Sequence, residues 1–249
     1  MRTFSVLNQK GGVGKTTTAL NLAHAIALRG HKVAAIDMDP QGHLTTGFGE
    51  EIRPQLGMAE VLFGEKSLEE VGIMTRKNLE LFPAGTRLSE VEQSVRGFKG
   101  GNLLKNELKK IQEKDFIFID CPPSAAILSM NAIFASTEII IPVSSDYLAL
   151  HGLSRLVEIL YKIEERLRHK LTKWIVLTRF HGRRRLANEV REKLEKHFPN
   201  RVLKTPIREA VALAESPGYG YSIFEHQKNG NGANDYNALA EDLLHGRTR

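Results

Sequence analysis

The residues with the clearest chemical content lie near the N-terminus, in the run Asn8-Gln9-Lys10-Gly11-Gly12-Val13-Gly14-Lys15-Thr16-Thr17. Three glycines, two lysines and a hydroxyl at this spacing suit the binding of a polyphosphate. Glycine lets backbone N–H groups approach phosphate oxygens closely. Lys15 would neutralise the β- and γ-phosphates, and the Thr16 hydroxyl would bind Mg²⁺. The strict pattern G-x-x-x-x-G-K-[ST] is not met, because Gln9 stands where its first glycine belongs. The loop is a Lys-Gly-Gly-x-Gly-Lys-Thr variant. Two acidic segments complete the chemistry: Asp37-Met38-Asp39-Pro40-Gln41-Gly42 and Asp120-Cys121-Pro122-Pro123. Carboxylates at the C-terminal ends of parallel strands face the crevice where open α/β sheets bind ligands, and there they can complete a magnesium shell and orient a water.

Such a site needs a strand before the loop, a helix after it and further strands delivering the acids. The sequence supplies them. Short apolar runs predict strands at Thr3–Asn8, Lys32–Asp37, Leu79–Pro83, Phe116–Asp120, Glu138–Val143, Lys173–Thr178 and Val202–Thr205. Helical patterns fall at Thr16–Arg29, Asn102–Glu113, Ala125–Ala135, Gly152–Arg168, Leu186–His197 and Asp235–Leu244. The alternation predicts an α/β fold with a single doubly wound, mainly parallel sheet flanked by helices. Residues 42–101 are less regular and read as short helices around one strand. With no linker or repeat visible, residues 1–249 are read as one domain with no N-terminal helix-turn-helix domain.

Composition narrows the class. A single cysteine, Cys121, excludes an internal disulfide or a cysteine cluster within one chain and fits a reducing cytoplasm. No apolar run approaches the ~18 residues of a membrane span. The formal charge is +6, and the cationic excess is concentrated between Arg155 and Arg208 while the remainder is net acidic. That bias favours a polyanionic partner. The nine histidines lack metal-ligand spacing; His24 and Trp174 read as packed residues and Ser124 as a helix cap.

The loop from Lys10 to Thr17, the Asp37–Gly42 segment and Ile119-Asp120-Cys121-Pro122-Pro123-Ser124 resemble the deviant Walker A, switch I and Walker B signatures of the ParA/Soj branch of the ParA/MinD P-loop ATPases. Pro142–Gly152, Thr205–Arg208, Glu215-Ser216-Pro217 and Gly232-Ala233 extend the resemblance over almost the whole chain. It implies an ATP- and Mg²⁺-dependent ATPase that hydrolyses slowly and forms an ATP-sandwich homodimer. Residues Gln9 to Thr17 would hold the nucleotide, with Arg179, Pro206, Ile207 and Arg208 near the base, and Pro206 framing the adenine. Lys10 would reach the partner's phosphates, Asp39 would position the attacking water, and Asp37 would order the switch. Thr16, Asp37 and Asp120 would serve the metal, Asp120 through water.

The resemblance further implies non-specific DNA binding by the dimer, a nucleoid-associated cytoplasmic location, and a ParB-like or other adaptor that stimulates hydrolysis. Arg183, Arg184, Arg185 and Lys204, with Arg179 and Arg208, are the DNA candidates. The apolar run Ala210–Ala214 stands where a further cation is expected. A positioning protein for a non-DNA cargo is the alternative. A MinD-like membrane ATPase is disfavoured because the last helix carries Asp235, Glu241 and Asp242 where lipid binding needs cations. The cluster-bridged nitrogenase-iron-protein relatives need two cysteines per chain.

Overall fold

A computed structural model describes residues 1–50, 56–93, 102–123, 127–146, 149–168 and 170–249. Seven strands form one sheet: β1 Arg2–Val6, β2 Val33–Asp37, β3 Ile73–Arg76, β4 Leu79–Phe82, β5 Phe116–Asp120, β6 Glu138–Ser144 and β7 Thr172–Thr178, in the order β3-β4-β2-β5-β1-β6-β7. All pairings are parallel except β3 with β4. β2 and β5 are buried along their whole length, as strands covered on both faces must be.

Successive strand side chains point to opposite faces, and the two cores divide accordingly. Ala34, Ile36, Ile117 and Ile119 join one cluster with α7 (Ile127–Ala135), α8 (Ala149–Leu167) and α9 (Arg185–His197). Val33, Ala35, Phe116 and Phe118 join the other, with α1 (Lys15–Ala27) and α12 (Asn231–His245). Phe4 of β1 stacks on Phe118 at 5.1 Å between ring centroids. α8 buries Leu153, Leu156, Val157, Leu160 and Ile163, the stripe expected of a helix lying on a sheet. From β1 the chain winds one way to β2, whereas β6 lies on the other side of β1, so the loop after β1 opens at a topological switch point.

Three expectations need correction. Val202–Thr205 is not a strand; Val202 and Leu203 make isolated bridges to Ile175 and Thr248. The described residues of the segment 42–101 hold two strands, because β3 runs antiparallel as an edge strand beside β4, with α2 (His43–Gly47), α3 (Met58–Phe63), α4 (Leu68–Val71) and α5 (Leu88–Gln93) around them. The helix expected over Asn102–Glu113 is confined to α6 (Leu103–Leu108). α4 begins with a capping box in which Ser67 N–H donates to Glu70. Ser124, expected as a cap, lies outside the described residues.

Candidate functional site

The phosphate loop connects the C-terminal end of β1 to the first turn of α1. Gly12 and Gly14 adopt φ of 71° and 87°, a left-handed conformation that side chains resist. A Cβ built at Gly11 or Gly12 would meet nothing within 4 Å, so the loop fronts open space at a helix N-terminus, as anion binding requires. The loop is fastened from outside: Asn8 Nδ2 donates to the Pro142 carbonyl at 2.8 Å, and Thr178 Oγ1 donates to the Val13 carbonyl at 2.8 Å. Val13 is buried, while Gln9, Lys10, Gly11 and Gly12 are exposed and Gly14, Thr16 and Thr17 half-buried.

Lys15 is 8% exposed and donates to the Lys10 carbonyl at 3.3 Å. Burial lowers its pKa, opposed by Asp120 and Asp39. These acids come from neighbouring strands. Asp37 at the end of β2 lies in register with Asp120 at the end of β5, which in turn pairs with Val6 at the end of β1. Strand order therefore places two carboxylates beside the phosphate loop.

The two differ in occupation. Asp37 accepts hydrogen bonds from Thr45 N at 2.9 Å, Thr45 Oγ1 at 2.7 Å and Asp39 N at 3.1 Å, so one oxygen is committed to α2 and the other to the loop that leads into it. Burial still pushes its pKa up to about 6, against those donors. Asp120 is fully buried, and neither of its oxygens has a hydrogen-bond partner among the described residues. Its pKa is raised well above the carboxylate range by burial and then by Asp37, with Thr16 and Lys15 pulling the other way; the Thr16 hydroxyl closes no hydrogen bond to it. An orphaned buried carboxylate beside a hydroxyl and a phosphate loop fits a hydrated divalent cation, which takes few protein ligands and several waters. No group of three His, Cys, Asp or Glu among the described residues could hold a metal by itself. Asp39 is 9% exposed, its Oδ1 accepting from Gln41 N at 3.0 Å.

Lys10 points elsewhere. Its Nζ lies 2.6 Å from Asp146 Oδ2, just beyond β6, and Ser144 Oγ donates to the same oxygen at 2.7 Å. Sequence reading missed Asp146, Ser144, Thr45 and Thr178. The available signal was that each sits at or just past a strand end or one helical turn after switch I.

Next to Gly14 and Thr17 opens a cavity of about 330 Å³ whose walls include Arg179, Ile207, Arg208, Val211 and Tyr236. Pro206 is not among its lining residues. The Arg208 guanidinium is clamped by Asp235 at 2.6 Å, which raises its pKa further and offsets its charge, although the side chain stays exposed. Arg208 therefore belongs with this cavity more than with the basic face. Arg183, Arg184, Arg185 and Lys204 are exposed, and the Arg185 side chain, 93% exposed, pairs among the described residues only with Glu189 one turn on. Leu239 and Leu243 of α12 are fully buried and Leu244 is partly buried against the same core, so these leucines pack inward and do not form an exposed apolar face. No helix among the described residues is long and apolar enough to cross a membrane. Cys121 is buried, which raises its thiol pKa, and His24 is buried with Nδ1 2.6 Å from Ser222 Oγ. Trp174 is half-buried, with Nε1 donating to Glu138 at 2.6 Å.

Comparison with known proteins identifies the family and the fold. A family model described as an AAA domain matches residues 1–173. The chromosome-partitioning ATPase Soj of Thermus thermophilus is 36% identical over 245 residues, covering 98% of this chain and 96% of its own. A plasmid partition protein of Borrelia burgdorferi B31 bound to AMPPNP superposes with a TM-score of 0.83 at 26% identity, covering 98% of both chains. A cobyrinic acid a,c-diamide synthase from Mycobacterium smegmatis with bound ADP and magnesium superposes at 0.84 with 27% identity, covering 98% of this chain and 94% of that one.

Proposed function

Because the chain belongs to the ParA/Soj branch of the ParA/MinD P-loop ATPases, we propose that it binds Mg·ATP at the Lys10–Thr17 loop, dimerises around two nucleotides and then binds DNA without sequence preference. The observation that carries this reading is the buried pair Asp37 and Asp120, set by strand register beside a phosphate loop whose lysine is also buried. Lys15 neutralises the phosphates of the bound nucleotide. Asp37 holds Thr45 and the backbone of Asp39, fixing where the Asp39 carboxylate stands, and Asp39 orients the attacking water. Thr16 and the unpartnered Asp120 would hold the magnesium shell, where the ion supplies charge neutralisation on the phosphates. The cavity beside Gly14 takes the base, with Ile207 and the Arg208–Asp235 pair as walls.

Dimerisation follows from Lys10. Its ammonium is paired within its own chain at an exposed site, a contact worth little in water, so a partner's triphosphate competes for it effectively. Bringing two chains together doubles the exposed cations of Arg183–Arg185 and Lys204, and phosphate neutralisation by several such groups is sufficient for non-specific DNA binding. Hydrolysis, slow alone and stimulated by a ParB-like or other adaptor, would release the protein from the nucleoid and so partition a chromosome or plasmid.

Sedimentation equilibrium of Lys10→Ala with a non-hydrolysable ATP analogue tests the switch. We expect nucleotide-bound monomer where the native chain is dimeric; dimer at native affinity overturns the assignment.

A further inference from the structure

A second cavity, of about 670 Å³, lies far from the nucleotide site, between α8 and the end of α9 over the first residues of β7. Its lining includes Thr172, Lys173 and Ile175, whereas the nucleotide cavity touches β7 at Thr178. Five residues of strand put these ends about 16 Å apart. The floor is apolar: Ile141, Val157, Leu171 and Ile175 are buried there, and Phe198 closes one side. One wall is a buried ion pair, Lys173 Nζ to Glu164 Oε2 at 2.6 Å, with the ammonium 4.3 Å from the centroid of Tyr161. That pair is self-contained, since Nζ also reaches the Leu171 carbonyl at 3.3 Å. Tyr161 itself remains 57% exposed, an aromatic face pinned at the mouth.

The rim is unbalanced. Arg168, Lys170 and Arg201 are exposed lining residues, and among the described residues none of them makes an ion pair or a side-chain hydrogen bond. Glu165 is the acid that faces them. A solvated charged face needs no apolar hollow beneath it, and an apolar hollow that merely reflects loose packing needs no ring of unpaired cations. Both together describe a ligand site: volumes of ~300–1,000 Å³, an apolar lining and a few convergent polar groups are the common pattern. We propose that this cavity binds a small amphiphilic anion, a carboxylate, sulfonate or phosphate carried on a compact apolar body, with the body against Ile175 and Phe198 and the charge among Arg168, Lys170 and Arg201. DNA is the competing polyanion. A phosphodiester backbone would engage only the rim and leave the apolar floor uncovered, so the shape favours the small ligand.

The test uses the full chain with its nucleotide site saturated by a non-hydrolysable ATP analogue and Mg²⁺, and 1-anilinonaphthalene-8-sulfonate as the fluorescent probe. One saturable site per chain is expected, displaced by octanoate and much less by octanol. Lys170→Glu with Arg201→Glu, both at exposed positions, should weaken the probe about tenfold, the factor equal to ~1.4 kcal/mol. Val157→Trp, which fills the hollow, should abolish binding; circular dichroism checks that each variant is folded, and the rim variant alone decides if the filled one is not. Unchanged affinity in the rim variant overturns the proposal. So does displacement by a short DNA duplex as readily as by octanoate, which would make the rim part of a DNA surface.

Discussion

The phosphate loop and the basic face both bind anions in this reading, yet they are built in opposite ways. Around the loop the groups that shape the site are buried and individually held: Thr178 holds the Val13 carbonyl, Thr45 and Asp39 hold Asp37, and Lys15 is enclosed between the loop and two carboxylates, while buried Asp120 keeps both oxygens without a partner among the described residues. On the other face Arg183, Arg184 and Arg185 project into solvent at the start of α9, with a single i, i+4 pair, Arg185 to Glu189, among the described residues. Preorganisation in a site of low dielectric makes single groups matter, whereas screened surface charges act only in sum. Substitutions should therefore be costly one at a time in the first region and graded in the second.

Lys15→Ala should have the largest effect. Losing a buried, charge-assisted contact to phosphate should weaken ATP binding by about 3 kcal/mol, roughly 100-fold, by titration calorimetry. Retention of near-native affinity would show that the backbone cradle alone suffices and would erase the contrast. Asp39→Ala comes next, acting on turnover and not on affinity. Removing the group that orients the water should lower hydrolysis by roughly 10- to 100-fold while ATP remains bound and dimer accumulates. Normal hydrolysis in that variant would mean that another group positions the water.

Replacing Arg183, Arg184 and Arg185 together by alanine should weaken DNA binding at moderate salt by roughly tenfold. The slope of log K against log salt should also flatten by about 2 to 3 per protomer, since each neutralised phosphate contributes ~0.9. ATP binding should be untouched. An unchanged slope would move the footprint elsewhere on the basic half.

The same contrast decides what the sequence discloses. Lys15, Thr16, Asp37 and Asp120 are legible because polyphosphate chemistry demands those types at fixed distances from strand ends, and the burial of β2 and β5 on both faces leaves an unmistakable apolar run. The edge strand β3 is not legible: Ile73–Arg76 is only partly buried, irregularly paired, and held by Arg76 reaching Glu225 and the carbonyls of Phe48 and Gly220. Such contacts join residues up to 149 positions apart, and no local pattern announces them. Asp235 escaped for the same reason. It reads as an exposed acid at the start of the last helix, yet it clamps Arg208 and so offsets one cation of the proposed DNA surface. Val202–Thr205 misled in the other direction, because β-branched and apolar residues there pack against the sheet without extended pairing.

The finest test of the comparison lies within α9. Glu189 is the charged group that holds Arg185, at 2.7 Å, and both side chains are exposed. If the arginines act in sum against phosphate, Glu189→Gln should both free Arg185 and remove a like charge from the approaching backbone. DNA affinity should then rise, by roughly twofold, because exposed pairs of this kind are weak to begin with. The gain should vanish at high salt and should be absent when Arg185 is already alanine, a double-mutant cycle that fluorescence anisotropy can close. A gain that persists without Arg185 would make it general electrostatics of the face. No gain at all, in a chain whose triple arginine variant does lose DNA, would place the productive contacts on Arg183 and Arg184, just before the first residue of the helix.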